Sequence, residues 1–139
     1  MIRLGNSRFG EDIVVPRGQI PQMVDLVKQI ARKHDLTIAV FGHIGDGNLH
    51  PNIVCDRRDA EMMKRVEAAS HAIFEAAIEL GGAITGEHGV GLVKTGYVPK
   101  SVDPIALGMM RQVKKLFDPN NVMNPGKKIA ETGLRTAGW

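Results

Sequence analysis

Two β-prone runs, Thr37-Ile38-Ala39-Val40-Phe41 and residues 49–54, flank the dipeptide Asp46-Gly47, and no other feature narrows the fold of this chain as much. Asp-Gly is a preferred two-residue hairpin turn. With those residues as the turn, Gly45 faces Asn48, Ile44 faces Leu49 and His43 faces His50. Directly opposed residues share one face of a ladder, with Cβ atoms roughly 4.5–5.5 Å apart. The hairpin is therefore expected to bring two imidazoles within reach of one metal ion, in a register that a longer loop would shift.

The rest of the chain supplies packing partners for the hairpin. Asp12-Ile13-Val14-Val15 reads as a short strand ended by Pro16. Ile20, Met23, Val24, Val27, Ile30 and Ala31 then fall on one helical face, with Pro21 in the first turn. A longer helix is predicted from about Asp59 to Leu80. Met62, Val66, Ala69, Ile73, Ala77 and Leu80 form its buried stripe, and Gly81-Gly82 stops it. Ala83-Ile84-Thr85 is a candidate fourth strand. Asp103 as N-cap and Pro104 at the first position signal a third helix. Ile105, Met109, Val113, Leu116 and Phe117 are its expected core-facing stripe. The order strand, helix, strand, strand, helix, strand is that of a ferredoxin-like split βαβ unit. The expected fold is thus α+β, a ferredoxin-like antiparallel sheet with helices on one face. The other face is then open to a ligand or a second domain. Residues 1–10 read as an irregular lead-in, 11–130 as the domain and 131–139 as a tail.

Composition excludes several classes. No apolar run approaches the ~18–20 residues that span a bilayer, so no transmembrane segment is expected. The N-terminus lacks the apolar stretch of a signal peptide. Cys55 is the single cysteine, which rules out a disulfide framework and fits a reducing, cytoplasmic setting. Any peripheral membrane association is expected to run through partner subunits. Cys55 itself reads as a small buried residue. The net charge is +3, but aromatics at 4% leave few platforms for stacking bases, so no nucleic-acid role is expected. The charge fits an anionic small substrate or an acidic partner surface.

The chemistry concentrates in residues 42–50 and in Gly86-Glu87-His88-Gly89-Val90-Gly91, which together hold three of the five histidines. Two imidazoles and a carboxylate suit a borderline divalent metal, and His43, His50 and Glu87 are the expected ligands. Three protein ligands leave a position for water or substrate, as in catalytic sites. His88 is adjacent to Glu87 and points elsewhere in any regular backbone. It is better placed as a base beside the metal, a role imidazole fills near neutral pH. Asp46 and Asn48 read either as turn residues or as ligand contacts. Lys94 is a candidate to hold an anion, although Gly89-x-Gly91-x-x-Lys94 is not a phosphate loop. His34 and His71 are assigned to a helix end and a solvated charged face.

These residues resemble a known family. Gly42-His43-x-Gly45-Asp46-Gly47-Asn48-x-His50, Gly86-Glu87-His88-Gly89-x-Gly91, and Phe117-Asp118-Pro119 with Asn124-Pro125-Gly126-Lys127 are similar to the C-terminal domain of FAD-linked oxidases of the vanillyl-alcohol-oxidase type. The likeness is to the group that comprises glycolate oxidase, D-lactate dehydrogenase and D-2-hydroxyglutarate dehydrogenase, and it covers nearly all of residues 11–130. It implies a substrate domain in which the two histidines and the glutamate bind a divalent metal, often zinc. The metal would hold a 2-hydroxy acid, with Asn48 and Lys94 as candidate substrate contacts. The histidine after the glutamate would take the hydroxyl proton while a hydride leaves for the flavin. The Asn124-to-Lys127 tail would run towards the flavin, making Asn124 and Lys127 its candidate contacts. The resemblance also implies a partner, because complete members bind FAD mainly through an N-terminal domain. This chain is expected to bind little FAD and to be inactive alone. Two other readings compete with this one. One is a non-enzymatic dimerisation module that covers its open sheet face with a second copy. The other is a self-contained metal hydrolase, for which no oxyanion donors are identified.

Overall fold

The structure, a computed structural model, describes residues 6–129. By internal contacts the chain divides into two compact units, the first ending at Glu87 and the second starting at His88. The first unit contains four strands, β1 (Ser7–Gly10), β2 (Ile13–Val14), β3 (Thr37–His43) and β4 (Asn48–Cys55). It also holds the helices α1 (Ile20–Lys33) and α2 (Ala60–Glu79). The second unit holds α3 (Val98–Ser101) and α4 (Pro104–Phe117). Among the described residues no helix is long and apolar enough to cross a membrane.

The fold is α+β, with an open antiparallel sheet centred on β4. β3 pairs along one side of β4, while β1 and β2 pair with successive stretches of the other side. Ala83 adds an isolated antiparallel bridge to Val14. The spatial order Ala83 bridge, β2, β4, β3 is the ferredoxin-like order expected. Two corrections apply. Residues 7–10 are not an irregular lead-in but strand β1, whose backbone pairs with residues 52–55. The predicted fourth strand at 83–85 shrinks to that single bridge. The physical reason for the second is that residues 85–87 turn away to meet a buried carboxylate. The tail at 131–139 lies outside the described residues.

α1 and α2 pack on each other and on the sheet, so they share one face. Met23, Val27 and Ile30 of α1 and Val66, Ala69, Ile73, Phe74 and Ala77 of α2 are buried there. Asp59 caps α2 by accepting from the backbone N–H of Glu61 and Met62, both at 3.0 Å. Arg65 donates to the carbonyls of His34 (3.2 Å) and Asp35 (2.9 Å), satisfying the last turn of α1. His34 is therefore part of a helix end, as its position suggests. Cys55 is buried, and burial pushes its thiol above the ordinary value, which keeps it in the inert thiol form.

The hairpin differs from expectation in one respect. The turn is not two residues but four, Ile44 to Gly47: Ile44–Asp46 form a 3-10 turn, and Gly47 closes it in the left-handed region at φ 75°. A Cβ at Gly47 would collide with the Val15 carbonyl, so only glycine fits. His43 thus faces Asn48, and His50 faces Phe41. The shift is by two residues, which preserves the face on which every side chain lies. His43 and His50 become diagonal neighbours, with ring centroids 5.5 Å apart at 89°.

In the second unit Asp103 caps α4 as predicted, accepting from Ile105 N–H at 2.8 Å. The expected core stripe of that helix is a correction. Ile105, Met109, Val113, Leu116 and Phe117 are all exposed, Leu116 by 77%, and Leu107 is the buried residue of α4. Beyond the helix Asp118 organises the chain. Its carboxylate pairs with Lys114 and accepts from the N–H of Val122 (2.9 Å) and Met123 (2.8 Å). The Lys114 ammonium first, and these two amides after it, hold the Asp118 carboxyl below its ordinary value. A depressed native pKa means that the unfolded chain binds the proton more readily. The contribution is complete above the unfolded value of about 3.9 and drains away as pH falls through the lower native value. Acid titration of the thermal melt is expected to show this loss below about pH 4, and Asp118→Asn is expected to flatten that part of the curve. An unchanged acid limb in the variant would remove Asp118 from the account.

Candidate functional site

β4 alternates polar and apolar residues, which is a two-faced strand. Leu49 and Ile53 are buried apolar residues of the helix-covered face, while Asn48, His50 and Asn52 line the opposite face. That opposite face was expected to be open, but Asn48, His50 and Asn52 are each buried. His43 joins this face from the end of β3. Glu87 reaches it from the segment after the Ala83 bridge.

Three donor atoms meet there. His50 Nε2 lies 3.1 Å from Glu87 Oε1, and His43 Nε2 lies 3.4 Å from the same oxygen. One atom from each residue falls within 4.8 Å of the others. A tetrahedral zinc ion with bonds of 2.0–2.1 Å has its donor atoms separated by roughly 3.3–3.4 Å. The separations of 3.1 and 3.4 Å are close to that spacing, so His43, His50 and Glu87 are a group that could hold a divalent ion. The His50 side chain is 8% exposed, while those of His43 and Glu87 are 58% and 50% exposed. One buried donor and two accessible ones leave one side of the trio exposed.

Gly86 shows how closely the second segment approaches the first. A Cβ there would overlap the Asn48 side-chain amide, so glycine is required for contact rather than for backbone freedom. Asn48 donates from Nδ2 to Asp12 Oδ1 (2.6 Å) and to the Ile13 carbonyl (3.2 Å). Two acceptors on Nδ2 fix the orientation of this amide. Its Oδ1 is buried with no hydrogen-bond partner among the described residues. Asn48 is the first residue of β4 and not part of the turn, and its Nδ2 is engaged by Asp12 and Ile13. Asp46 sits exposed in the 3-10 turn.

The second unit gathers three other expected site residues. His88, Asn124 and Lys127 line one cavity of about 480 Å³, together with Phe117, Asp118 and Met123. Lys94 is buried and is not among the residues of that wall. His71 is partly exposed beside Glu67, at 3.8 Å, on the charged face of α2.

Sequence reasoning missed Asp12, which it read only as the start of a strand. It is 1% exposed and accepts from Thr85, Gly86, Glu87 and Asn48. The signal was an acidic pair, Glu11-Asp12, opening an apolar strand. It also passed over Asn52, although strand alternation alone places residues 48, 50 and 52 on one face.

The family described as FAD linked oxidases, C-terminal domain, matches residues 3–128. The chain is 47% identical over 131 residues to the glycolate oxidase subunit GlcD of Bacillus subtilis, covering 94% of this chain and 28% of that protein. It is 40% identical over 126 residues to the D-2-hydroxyglutarate dehydrogenase of Stutzerimonas stutzeri, covering 88% and 27%. With the probable mitochondrial D-lactate dehydrogenase of Danio rerio it shares 35% over 135 residues, covering 97% and 27%. The chain spans about a quarter of the length of these curated relatives.

Proposed function

Because the chain belongs to the FAD linked oxidases, through their C-terminal domain, we propose that it is the substrate- and metal-binding portion of an FAD-dependent 2-hydroxyacid dehydrogenase of the glycolate or D-lactate type. The observation that carries this reading is the trio of donors spaced at 3.1 and 3.4 Å. His43, His50 and Glu87 would hold a divalent ion, zinc being the best match to two imidazoles and a carboxylate. Such an ion, when bound, supplies Lewis acidity towards the hydroxyl and carboxylate of a 2-hydroxy acid. The flavin, when bound, supplies the acceptor for the hydride of the α-carbon.

The chain's own residues do the rest. Buried His50 fixes the ligand set, while the accessible His43 and Glu87 leave the substrate side open. His88 takes the hydroxyl proton as the α-carbon gives up its hydride. Lys94 is the candidate partner for an anionic group. Asn124 and Lys127 share the cavity of His88 and are the candidates for contact with the flavin.

The exposed stripe of α4 supports a partner. Five large apolar side chains on a single helix face, with Val122 and Met123 beyond it, are more than a solvated surface carries. The relatives are more than three times as long as this chain, and the occupant we assign to this face is their FAD-binding portion. The dimer reading started from an open sheet face, on which Asn48, His50 and Asn52 are buried; a second copy is instead the competing occupant of the α4 face.

Co-expression with the remaining portion of the Bacillus subtilis relative tests the proposal. A flavin-containing complex that oxidises glycolate or D-lactate is expected, whereas the chain alone binds little FAD and turns over neither. In the complex, His88→Gln is expected to lower kcat by roughly 10²–10⁴-fold. Stoichiometric flavin in the purified chain, or turnover without the partner, would overturn the partner dependence. Undiminished kcat in the His88 variant would remove the base.

A further inference from the structure

We infer that Asp12 is the positioning residue of the metal site, setting where Glu87 and His50 present their donor atoms. This inference rests on the metal-binding reading above. Asp12 stands at the entry to β2 and its side chain is buried. Its Oδ2 accepts from Thr85 Oγ1 at 2.6 Å, Gly86 N–H at 2.8 Å and Glu87 N–H at 3.0 Å. Three donors from consecutive residues fix the backbone that carries the Glu87 side chain. Its Oδ1 accepts from Asn48 Nδ2 at 2.6 Å, tying the first residue of β4 to the same carboxylate. The same Oδ1 lies 3.8 Å from His50 Nδ1, on the opposite side of the ring from the Nε2 that meets Glu87.

These four hydrogen bonds are all donated to Asp12, so the site demands an acceptor-only side chain. Asparagine has the same shape but would turn its own NH₂ towards at least one of these donors. The carboxylate behind a ligating histidine is also the common outer partner that orients such a ring and raises its basicity. At 3.8 Å the contact is longer than a hydrogen bond, so the direct hold is on residues 85–87 and Asn48, and His50 feels the charge. A single buried group therefore links β2, β4 and the Glu87 segment, three pieces distant in sequence that must converge for the donor trio to exist.

The test is cobalt(II) chloride titration of the full 139-residue chain, read by Kd and by the visible d–d bands of the bound ion. Asp12→Asn is expected to weaken binding by roughly 10–100-fold and to shift the bands, because the ligand geometry changes. A residue that merely stabilised the fold would lower the melting temperature and leave Kd and bands of the folded protein unchanged. Thr85→Val removes one donor, keeps the carboxylate, and decides the matter if Asp12→Asn does not fold. It is expected to weaken cobalt binding by roughly 3–10-fold, and wild-type affinity in it would overturn the inference. If wild-type chain binds no cobalt, the metal reading falls and this one with it. If wild type binds, His50→Ala does not, and folded Asp12→Asn matches wild type in Kd and bands, only the role of Asp12 falls.

Discussion

Replacing His50 with alanine is expected to abolish stoichiometric zinc or cobalt binding by this chain, the largest effect of any single change. His50 is a ligand candidate whose ring is buried, so its donor atom is held in place before metal arrives. His43 is more than half exposed at the edge of the turn and must be ordered on binding. Ordering an exposed side chain offsets part of what its bond contributes. The loss on His43→Ala is therefore expected to be smaller than on His50→Ala. Both should exceed the ~10–100-fold that outer partners typically cost. His71→Ala, on the charged face of α2, is the control and should bind as wild type. Calorimetric titration of the four proteins reads all of this. Unchanged metal content in both ligand variants would mean that the donor trio is a hydrogen-bonded surface cluster and not a metal site.

The second large effect is expected at the exposed face of α4. Ile105→Asp together with Leu116→Asp should abolish association with the co-expressed FAD-binding portion, a loss of about 100-fold or more in Kd. Both residues are about three-quarters exposed in this chain, so the substitutions remove no internal packing and the melting temperature should hold. In an interface the two aspartates would be buried without partners, which is costly. Pull-down of the partner, followed by flavin content, measures the outcome. If the double variant still captures the flavin portion, another surface carries the contact. If instead the wild-type chain forms a dimer that the variant dissolves, while flavin capture is untouched, a second copy is the occupant.

Much of this site is legible in the sequence because it is written in local signals. The polar residues of β4 fall at every second position, and that period places 48, 50 and 52 together whatever the fold. His43 reaches the same face even though the turn is longer than the dipeptide suggests, because the register moves by two. Asp46-Gly47 suits a two-residue turn and equally a longer loop ending in a left-handed glycine, and local chemistry does not choose between them. The choice is made by Val15, just after β2 and far away in sequence, whose N–H donates to the Gly47 carbonyl at 3.0 Å. The α4 stripe fails for a different reason. Helical periodicity reports that a face is apolar, and only the neighbours of that face decide whether it is buried.

Local patterning along the chain is enough to specify α1, α2, α4 with its Asp103 cap, the hairpin, the polar face of β4 and the identity of the three ligand candidates. Each follows from the period of apolar residues or from residue chemistry within a few positions. The strand at 7–10, the four-residue turn, the exposure of α4 and the role of Asp12 come only with the folded chain. These depend on contacts between segments dozens of residues apart, of which the Asp12 carboxylate meeting the N–H of Gly86 and Glu87 is the plainest case. A buried acceptor is recognised by the donors that converge on it, and those donors are adjacent to it only once the chain has folded.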